Sequence, residues 1–508
     1  MLIRKFSHHF EVSEVNDPSD KIVCGKFGLR FAEYGMSADN PSGITRMYAT
    51  SNAQRSEFRF HINAFDDFIQ LYRMYDTALV RLKIVDVPMY KPAKVEYNFK
   101  EGAALLDTQV PFVDFIMQPG RTKLVGLQTG GGKTFLTLWA IKELGVRAVI
   151  VLKGGYIERW LPDLIGPKSL MGLKEDEVRV IRGLASMMEL CQDAVNGNIT
   201  ESIIIFSTDT LRMYQDHYFA MNGDMQIYSH IPPYALFEAL GAGVKVVDEV
   251  HQLFHANFRT DLYTHIPLTI SLSATMVAGS DNFKQFLYDT MFPKSTRADP
   301  GKYNKYIEMY ALMYNLDYKS SIVLRWNRKG TKDYSQNEFE KSILKNAKVR
   351  DLYLAMITNK LNEYYVTKRT ANEKCLVFAG TVDMCSVMVT CMKKLWPKLK
   401  INKYTSEDDY SVIAEADIIV STVGSLGTAH DIPDLWQVHK TVGLGKEDTN
   451  LQVAGRLRVM KNFPGRTPLM YYWTCEDIDK HMRYHRVKQE LFRERVLKLG
   501  VIYTGFTI

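Results

Sequence analysis

Between residues 100 and 475 the chain alternates short apolar runs with longer stretches whose apolar positions recur at helical spacing. The first series of runs is TKLVGL (122–127), RAVIVL (147–152), SIIIFS (202–207), VKVVDE (244–249) and LTISLSA (268–274). A second series follows: KCLVFAG (374–380), ADIIVST (416–422), HKTVGL (439–444) and PLMYYWT (468–474). Runs this apolar predict strands of parallel sheets covered on both faces. Two such series predict two tandem α/β units. Residues 300–350, rich in Tyr, Lys and Asn, join them, and the second unit extends to residue 476. Residues 477–508 read as a basic helical tail.

The N-terminal part has a different rhythm. FRFHI (58–62) and ALVRLKIVDV (78–87) alternate like strands. Between them Asn63 precedes AFDDFIQLYRMY with Asp66 three residues on, the pattern of a capped amphipathic helix. Residues 1–95 are therefore expected to form a small α+β module. The two prolines of VPMYKPAKVEYNF (87–99) mark a linker to the first α/β unit, residues 96–298.

Composition adds bounds. At 508 residues the chain exceeds one ordinary core. Its six cysteines are scattered, with no C-x-x-C pair, so a zinc ribbon or disulfide framework is not indicated and a reducing cytoplasm fits. MLIRKFSHHF lacks the apolar run of a signal peptide, and no stretch approaches the roughly 20 apolar residues of a membrane span. The net charge of +7 is compatible with a polyanionic partner without requiring one.

Candidate chemistry lies at the ends of the predicted strands. In LVGLQTGGGKTF (124–135) an apolar strand runs into three glycines and then a helical stretch. Backbone N–H groups of such a turn cradle phosphates, Lys133 meets the β/γ-phosphates and Thr134 ligates magnesium. The bland alternative, a glycine turn with a surface lysine, leaves the flanking strand and helix without significance. VKVVDEVHQLF (244–254) ends a strand in two carboxylates. A magnesium–ATP site needs one acid to hold the hydrated metal and one to orient the attacking water, and Asp248 and Glu249 supply both. SLSATM (271–276) and LQVAGRLRVMKNFPGR (451–466) are uninformative singly. The first offers small hydroxyls at a strand end, the second a basic helix face.

Taken in order, these stretches resemble superfamily II helicases and translocases with two RecA-like domains. TGGGKT is similar to motif I, DEVH to motif II, SAT to motif III and QVAGRLR to motif VI. Gln109 in LLDTQVPFVDFI stands where the family has its adenine-reading glutamine. VIVLKGGYIERW (149–160) resembles motif Ia, with Trp160 in the usual place. IIIFSTDTL (203–211) resembles motif Ib, CLVFAG (375–380) motif IV and STVGSLGTAHDIPDL (421–435) motif V. Within the superfamily, the motif Ia tryptophan, DEVH and YSQNEFEKSIL (334–344) resemble the DNA-remodelling branch: UvsW-type phage helicases, XPB-like and Snf-type translocases. Four positions depart from the pattern. Leu127 begins motif I, Lys153 replaces a proline, Ala429 replaces a glycine of motif V, and Arg458 falls one residue short of the second motif VI arginine, where Val459 stands.

The resemblance implies two tandem RecA-like parallel-sheet domains behind a small N-terminal α+β domain, with ATP and Mg2+ as cofactors. It implies nucleotide contacts from Gln109, Thr129, Gly130, Gly131, Gly132, Lys133 and Thr134, and magnesium held by Thr134 and Asp248. Catalysis falls to Lys133, Asp248, Glu249, Gln452, Arg456 and Arg458, and coupling to His251, Ser273 and Thr275. Nucleic acid, DNA in preference to RNA, is expected at Lys153, Trp160, Ser207, Thr210, Thr422 and Ser425. The activity implied is an ATP-driven DNA helicase or translocase acting on branched or duplex DNA, a monomer in the (host) cytoplasm working beside replication or recombination proteins. Two alternatives stay open: an RNA helicase, and an ATP-switched binder that does not translocate. Residues 1–95 either touch junction DNA or brace the first RecA-like unit.

Overall fold

The computed structural model describes residues 1–35, 43–52, 54–76, 81–127, 131–221, 223–273, 282–298, 305–317, 325–328, 331–405, 408, 411–426, 432–460 and 462–508. It divides into two compact units, Met1–Pro300 and Gly301–Ile508. Each is built on a seven-stranded sheet, and the first also carries a five-stranded N-terminal sheet. The fold is two tandem RecA-like α/β domains with a small N-terminal sheet domain.

In the first unit the central sheet runs in the order Val178–Ile181, Ile203–Ser207, Ala148–Leu152, Val244–Val247, Leu268–Ser273, Thr122–Gly126, Arg297–Ala298, and every pair is parallel. The inner strands are buried along their whole length, as their unbroken apolar runs require. All five predicted strands form, within a residue or two of their expected ends.

The N-terminal sheet orders Thr50–Ser51, Phe58–His61, His9–Ser13, Leu2–Lys5 and Lys83–Asp86. Phe10, Phe27, Phe60 and Phe68 pack at its centre. The expected helix spans Phe65–Arg73, but Asn63 does not cap it. Ile62–Ala64 form a 3-10 turn first, and the Asn63 amide donates to the Thr290 carbonyl at 2.9 Å. Residues 78–80 of the second predicted strand lie outside the described residues, and the strand spans Lys83–Asp86. The module shares one hydrophobic core with the large sheet, in which Phe31 and Phe258 are in ring contact. Polar contacts reinforce it: Ser7 N–H donates to His265 Nδ1 at 3.2 Å, and Ile266 N–H to Ser7 Oγ at 2.9 Å. The stretch read as a linker lies against the same unit, with Tyr97 donating to the Val146 and Ser202 carbonyls.

The second unit's sheet runs Ile401–Tyr404, Ile418–Thr422, Lys374–Ala379, Leu435–Lys440, Leu469–Cys475, Glu308–Asn315, Lys498–Thr507, again all parallel. Three expectations are corrected. Residues 300–350 are not merely a joining segment, because Glu308–Asn315 is an inner strand of this sheet. The tail is helical only over Asp479–Phe492, and Lys498–Thr507 then adds the edge strand. The strand predicted at 439–444 is Leu435–Lys440. Its buried positions include Gln437, His439 and Lys440, which break the apolar run over the true strand.

Candidate active site

Strand order dictates where chemistry can gather. In parallel α/β sheets ligands bind beyond the carboxyl ends of the strands. Here Thr122–Gly126, Leu268–Ser273 and Val244–Val247 are neighbours. The glycine loop, Ser273 and the Asp248–Glu249 pair therefore emerge side by side, although they are far apart in sequence.

The loop opens the helix Lys133–Leu144, whose first N–H groups have no partner within the helix. Gln128, Thr129 and Gly130 lie outside the described residues. Gly132 stands at φ 75, in the left-handed region that favours glycine. A side chain there would also strike the Gln109 amide. The Gln109 Nε2 group donates to the Gly131 carbonyl at 3.1 Å, while its Oε1 accepts from Leu106 N–H at 3.0 Å. Gln109 is buried and holds the back of the loop.

Lys133 forms an ion pair with Glu249 Oε1. Burial by itself would lower the pKa of the lysine, but the Glu249 and Asp248 carboxylates outweigh it and hold the ammonium above its ordinary value. Burial pushes the Asp248 carboxyl above the ordinary carboxylate value, against the pull of Lys133. Glu249 adopts φ 47, unusual for a residue with a side chain. Its N–H donates to Asp248 Oδ1 at 2.9 Å. The turn thus points one carboxylate at the loop lysine and keeps the other behind it. His251 Nδ1 lies 2.9 Å from Ser273 Oγ and 3.4 Å from Glu249 Oε2, joining the predicted coupling residues to the acid pair. Thr275 lies outside the described residues.

The expected nucleic-acid contacts separate into two kinds. Lys153 is exposed at the end of the strand Ala148–Leu152. Trp160 is corrected: only 2% exposed, it cannot stack on a base, and its indole N–H donates to Asp248 Oδ2 at 3.2 Å. Ser207 and Thr210 are also buried. Ser207 Oγ caps the helix Thr208–Ala220 by accepting from Thr210 N–H, and Thr210 Oγ1 accepts from Gly183 N–H at 2.8 Å. Their hydroxyls are committed inside the unit.

In the second unit Thr422 and Ser425 are half-buried, with hydroxyls 2.9 Å apart at the start of the helix Val423–Leu426. Ala429 lies outside the described residues. Gln452 belongs to the helix Glu447–Ala454. Arg456 follows it and is buried, whereas Arg458 is partly exposed and donates to the Gly455 carbonyl.

No protein-family model matches the sequence. No curated protein matches it either. Solved structures do. The DEAD-box helicase Mss116 bound to ssRNA and UDP-BeF aligns at 18% identity with a TM-score of 0.50, over 79% of this chain and 76% of that one. Dbp5 of S. cerevisiae, bound to RNA and ADP BeF3, aligns at 11% identity and a TM-score of 0.49, over 78% of this chain and 90% of its own. The Mycobacterium smegmatis helicase Lhr, bound to ssDNA and AMP-PNP, gives 15% identity and 0.44, over 78% of this chain and 49% of its own. The Mss116 likeness shows the fold, tandem RecA-like domains. Among the described residues no helix is long and apolar enough to cross a membrane.

Two residues escaped the sequence reading. Tyr156, only 5% exposed, has its hydroxyl 2.9 Å from Gln252 Oε1 and 2.8 Å from Gln252 Nε2. Gln252 directly follows DEVH, and Tyr156 stands four residues before Trp160 in the motif Ia-like stretch. That helical spacing, placing both rings on one face, is the signal that could have found them.

Proposed function

We propose that the chain is an ATP-driven nucleic-acid helicase or translocase that remodels branched or duplex DNA in recombination or replication. The observation that carries this is the Lys133–Glu249 pair, formed where a glycine loop and an acidic strand end meet beyond the two parallel strands that flank Leu268–Ser273. In the proposed reaction the loop amides and Lys133 bind the β- and γ-phosphates, displacing the lysine from Glu249. Glu249 then orients the attacking water and accepts its proton. Arg456 and Arg458 neutralise charge on the transferring phosphoryl group, an effect worth roughly 10³–10⁵ in rate. Thr134 and Asp248 offer hard oxygens suited to magnesium, which keeps several waters and needs few protein ligands. When bound, the ion would neutralise phosphate charge.

Exposed Lys153, with Thr422 and Ser425, is proposed to hold the phosphodiester backbone. Contacts of this kind fix register without reading sequence, and binding weakens steeply with salt. The test is steady-state ATP hydrolysis with no nucleic acid, with single-stranded DNA, with four-way DNA and with RNA, using Lys133→Ala as control. A rise with branched DNA, lost in the variant, is expected. A rise with RNA alone keeps the motor and changes its substrate. Turnover indifferent to all nucleic acids overturns the motor.

A further inference from the structure

The helix Ile157–Leu164 begins just after Lys153 and the 3-10 turn Gly154–Tyr156. From this segment two aromatic side chains reach inward to the turn that carries the acid pair. Trp160 donates its indole N–H to Asp248 Oδ2, and Tyr156 meets the amide of Gln252. Asp248 Oδ1 is already engaged by Glu249 N–H. Each carboxylate oxygen of Asp248 therefore has one fixed donor, and the plane of the carboxylate is set from both sides. The exposed lysine and the buried tryptophan belong to the same short segment, with a two-point attachment to residues 248 and 252.

We propose that Trp160 is a positioning residue that fixes the Asp248 carboxylate for magnesium and ties it to the segment bearing Lys153, so that nucleic acid held at Lys153 tightens Mg–ATP binding. The inference rests on the proposed function. A phenylalanine at this position would keep an aromatic ring in the core and remove the N–H together with part of the ring volume, leaving one oxygen of Asp248 without its donor. Tyr156→Phe would likewise release Gln252 while keeping the ring.

By thermodynamic linkage, if a nucleic acid strengthens nucleotide binding by some factor, the nucleotide strengthens nucleic-acid binding by the same factor. The experiment is equilibrium binding of a fluorescent, non-hydrolysed ATP analogue to the full chain, titrated with Mg2+, with and without single-stranded oligodeoxythymidine. Fluorescence anisotropy of the labelled oligonucleotide provides the reciprocal measurement. In the wild type the oligonucleotide should lower the half-saturating Mg2+ concentration about fivefold or more, typical of coupled sites. In Trp160→Phe that concentration should rise several-fold without the oligonucleotide, and both coupling factors should fall together towards one. Binding of the analogue in EDTA should not change, which a general disruption of the unit would not spare. If Trp160→Phe does not fold, Tyr156→Phe is expected to reduce the coupling factors in the same direction. A folded Trp160→Phe with wild-type Mg2+ dependence and coupling overturns the proposal; so does an unaltered Tyr156→Phe where only that variant folds. Failure of the underlying reading looks different: the wild type would then bind no analogue, or would bind it equally well as Lys133→Ala.

Discussion

At the scale of single residues, the acid pair shows how one turn gives two neighbouring carboxylates different surroundings. Glu249 faces the loop lysine, while Asp248 sits behind it with donors on both oxygens. Glu249→Gln keeps the shape and removes the proposed base. Turnover is expected to fall about 10²–10⁴-fold while ATP-analogue binding survives, since general-base catalysis contributes on that order. Turnover within tenfold of wild type would remove Glu249 from its proposed role. His481 illustrates the opposite use of a titratable group. Its Nδ1 accepts from Cys475 N–H at 3.2 Å, leaving Nε2 as the donor to Tyr334 OH at 2.7 Å. Burial lowers its pKa to about 3, so the folded protein keeps the ring neutral. The unfolded chain takes up the proton below about 6.5, so stability falls with pH between those values, by up to about 1.4 kcal/mol per unit. His8 and His439, also lowered to about 3 by burial, act in the same sense. Urea midpoints should decline from pH 7 to pH 5, and His481→Gln should decline less steeply. Equal slopes would show that this ring does not drive the effect.

At the scale of elements, the strands that carry the site were legible because they are uniformly apolar. Those that break this rule were missed or shifted. Leu435–Lys440 buries Gln437, His439 and Lys440, and each finds a partner: the Tyr364 carbonyl for Gln437, the Gln437 amide oxygen for His439, Asn450 for Lys440. Burial of polar side chains through such pairings gives the strand no apolar run to read, and the Tyr364 carbonyl is far away in sequence. The motif residues were readable as types, but the partners of Trp160 and Gln109 depend on strand order and were not. Attachment of the N-terminal module belongs to the same class. Lys245, on the strand leading to the acid pair, donates to Asp261 Oδ1 at 2.6 Å and to Thr264 Oγ1 at 2.9 Å. His61 of the module lies 3.7 Å from Asp261. All four side chains are buried. Removing one member of a buried pair strands the other charge, a loss of about 3–5 kcal/mol. Asp261→Ala should lower the unfolding free energy by that amount in chemical denaturation. A change under about 1 kcal/mol would show the cluster to be dispensable.

At the scale of the whole molecule, each unit encloses its own buried cores, and the proposed catalytic residues are divided between the units. Lys133, Asp248 and Glu249 lie in Met1–Pro300; Gln452, Arg456 and Arg458 lie in Gly301–Ile508. Binding and hydrolysis should therefore be separable by mutation of the second unit. Arg456 is buried, so Arg456→Ala would lower stability as well as turnover, and its kinetics alone would be ambiguous. Arg458 is partly exposed, and Arg458→Ala should melt within about 2 °C of wild type, as surface substitutions commonly do. If Arg458 serves the transferring phosphoryl group, this variant should keep its affinity for the ATP analogue and lose turnover by about 10³-fold or more. Loss of both affinity and turnover would mark Arg458 as a ground-state phosphate contact. Unchanged turnover would pass the role to Arg456, which Arg456→Lys then tests: a lysine keeps the charge but not the planar fork that pairs with phosphate oxygens.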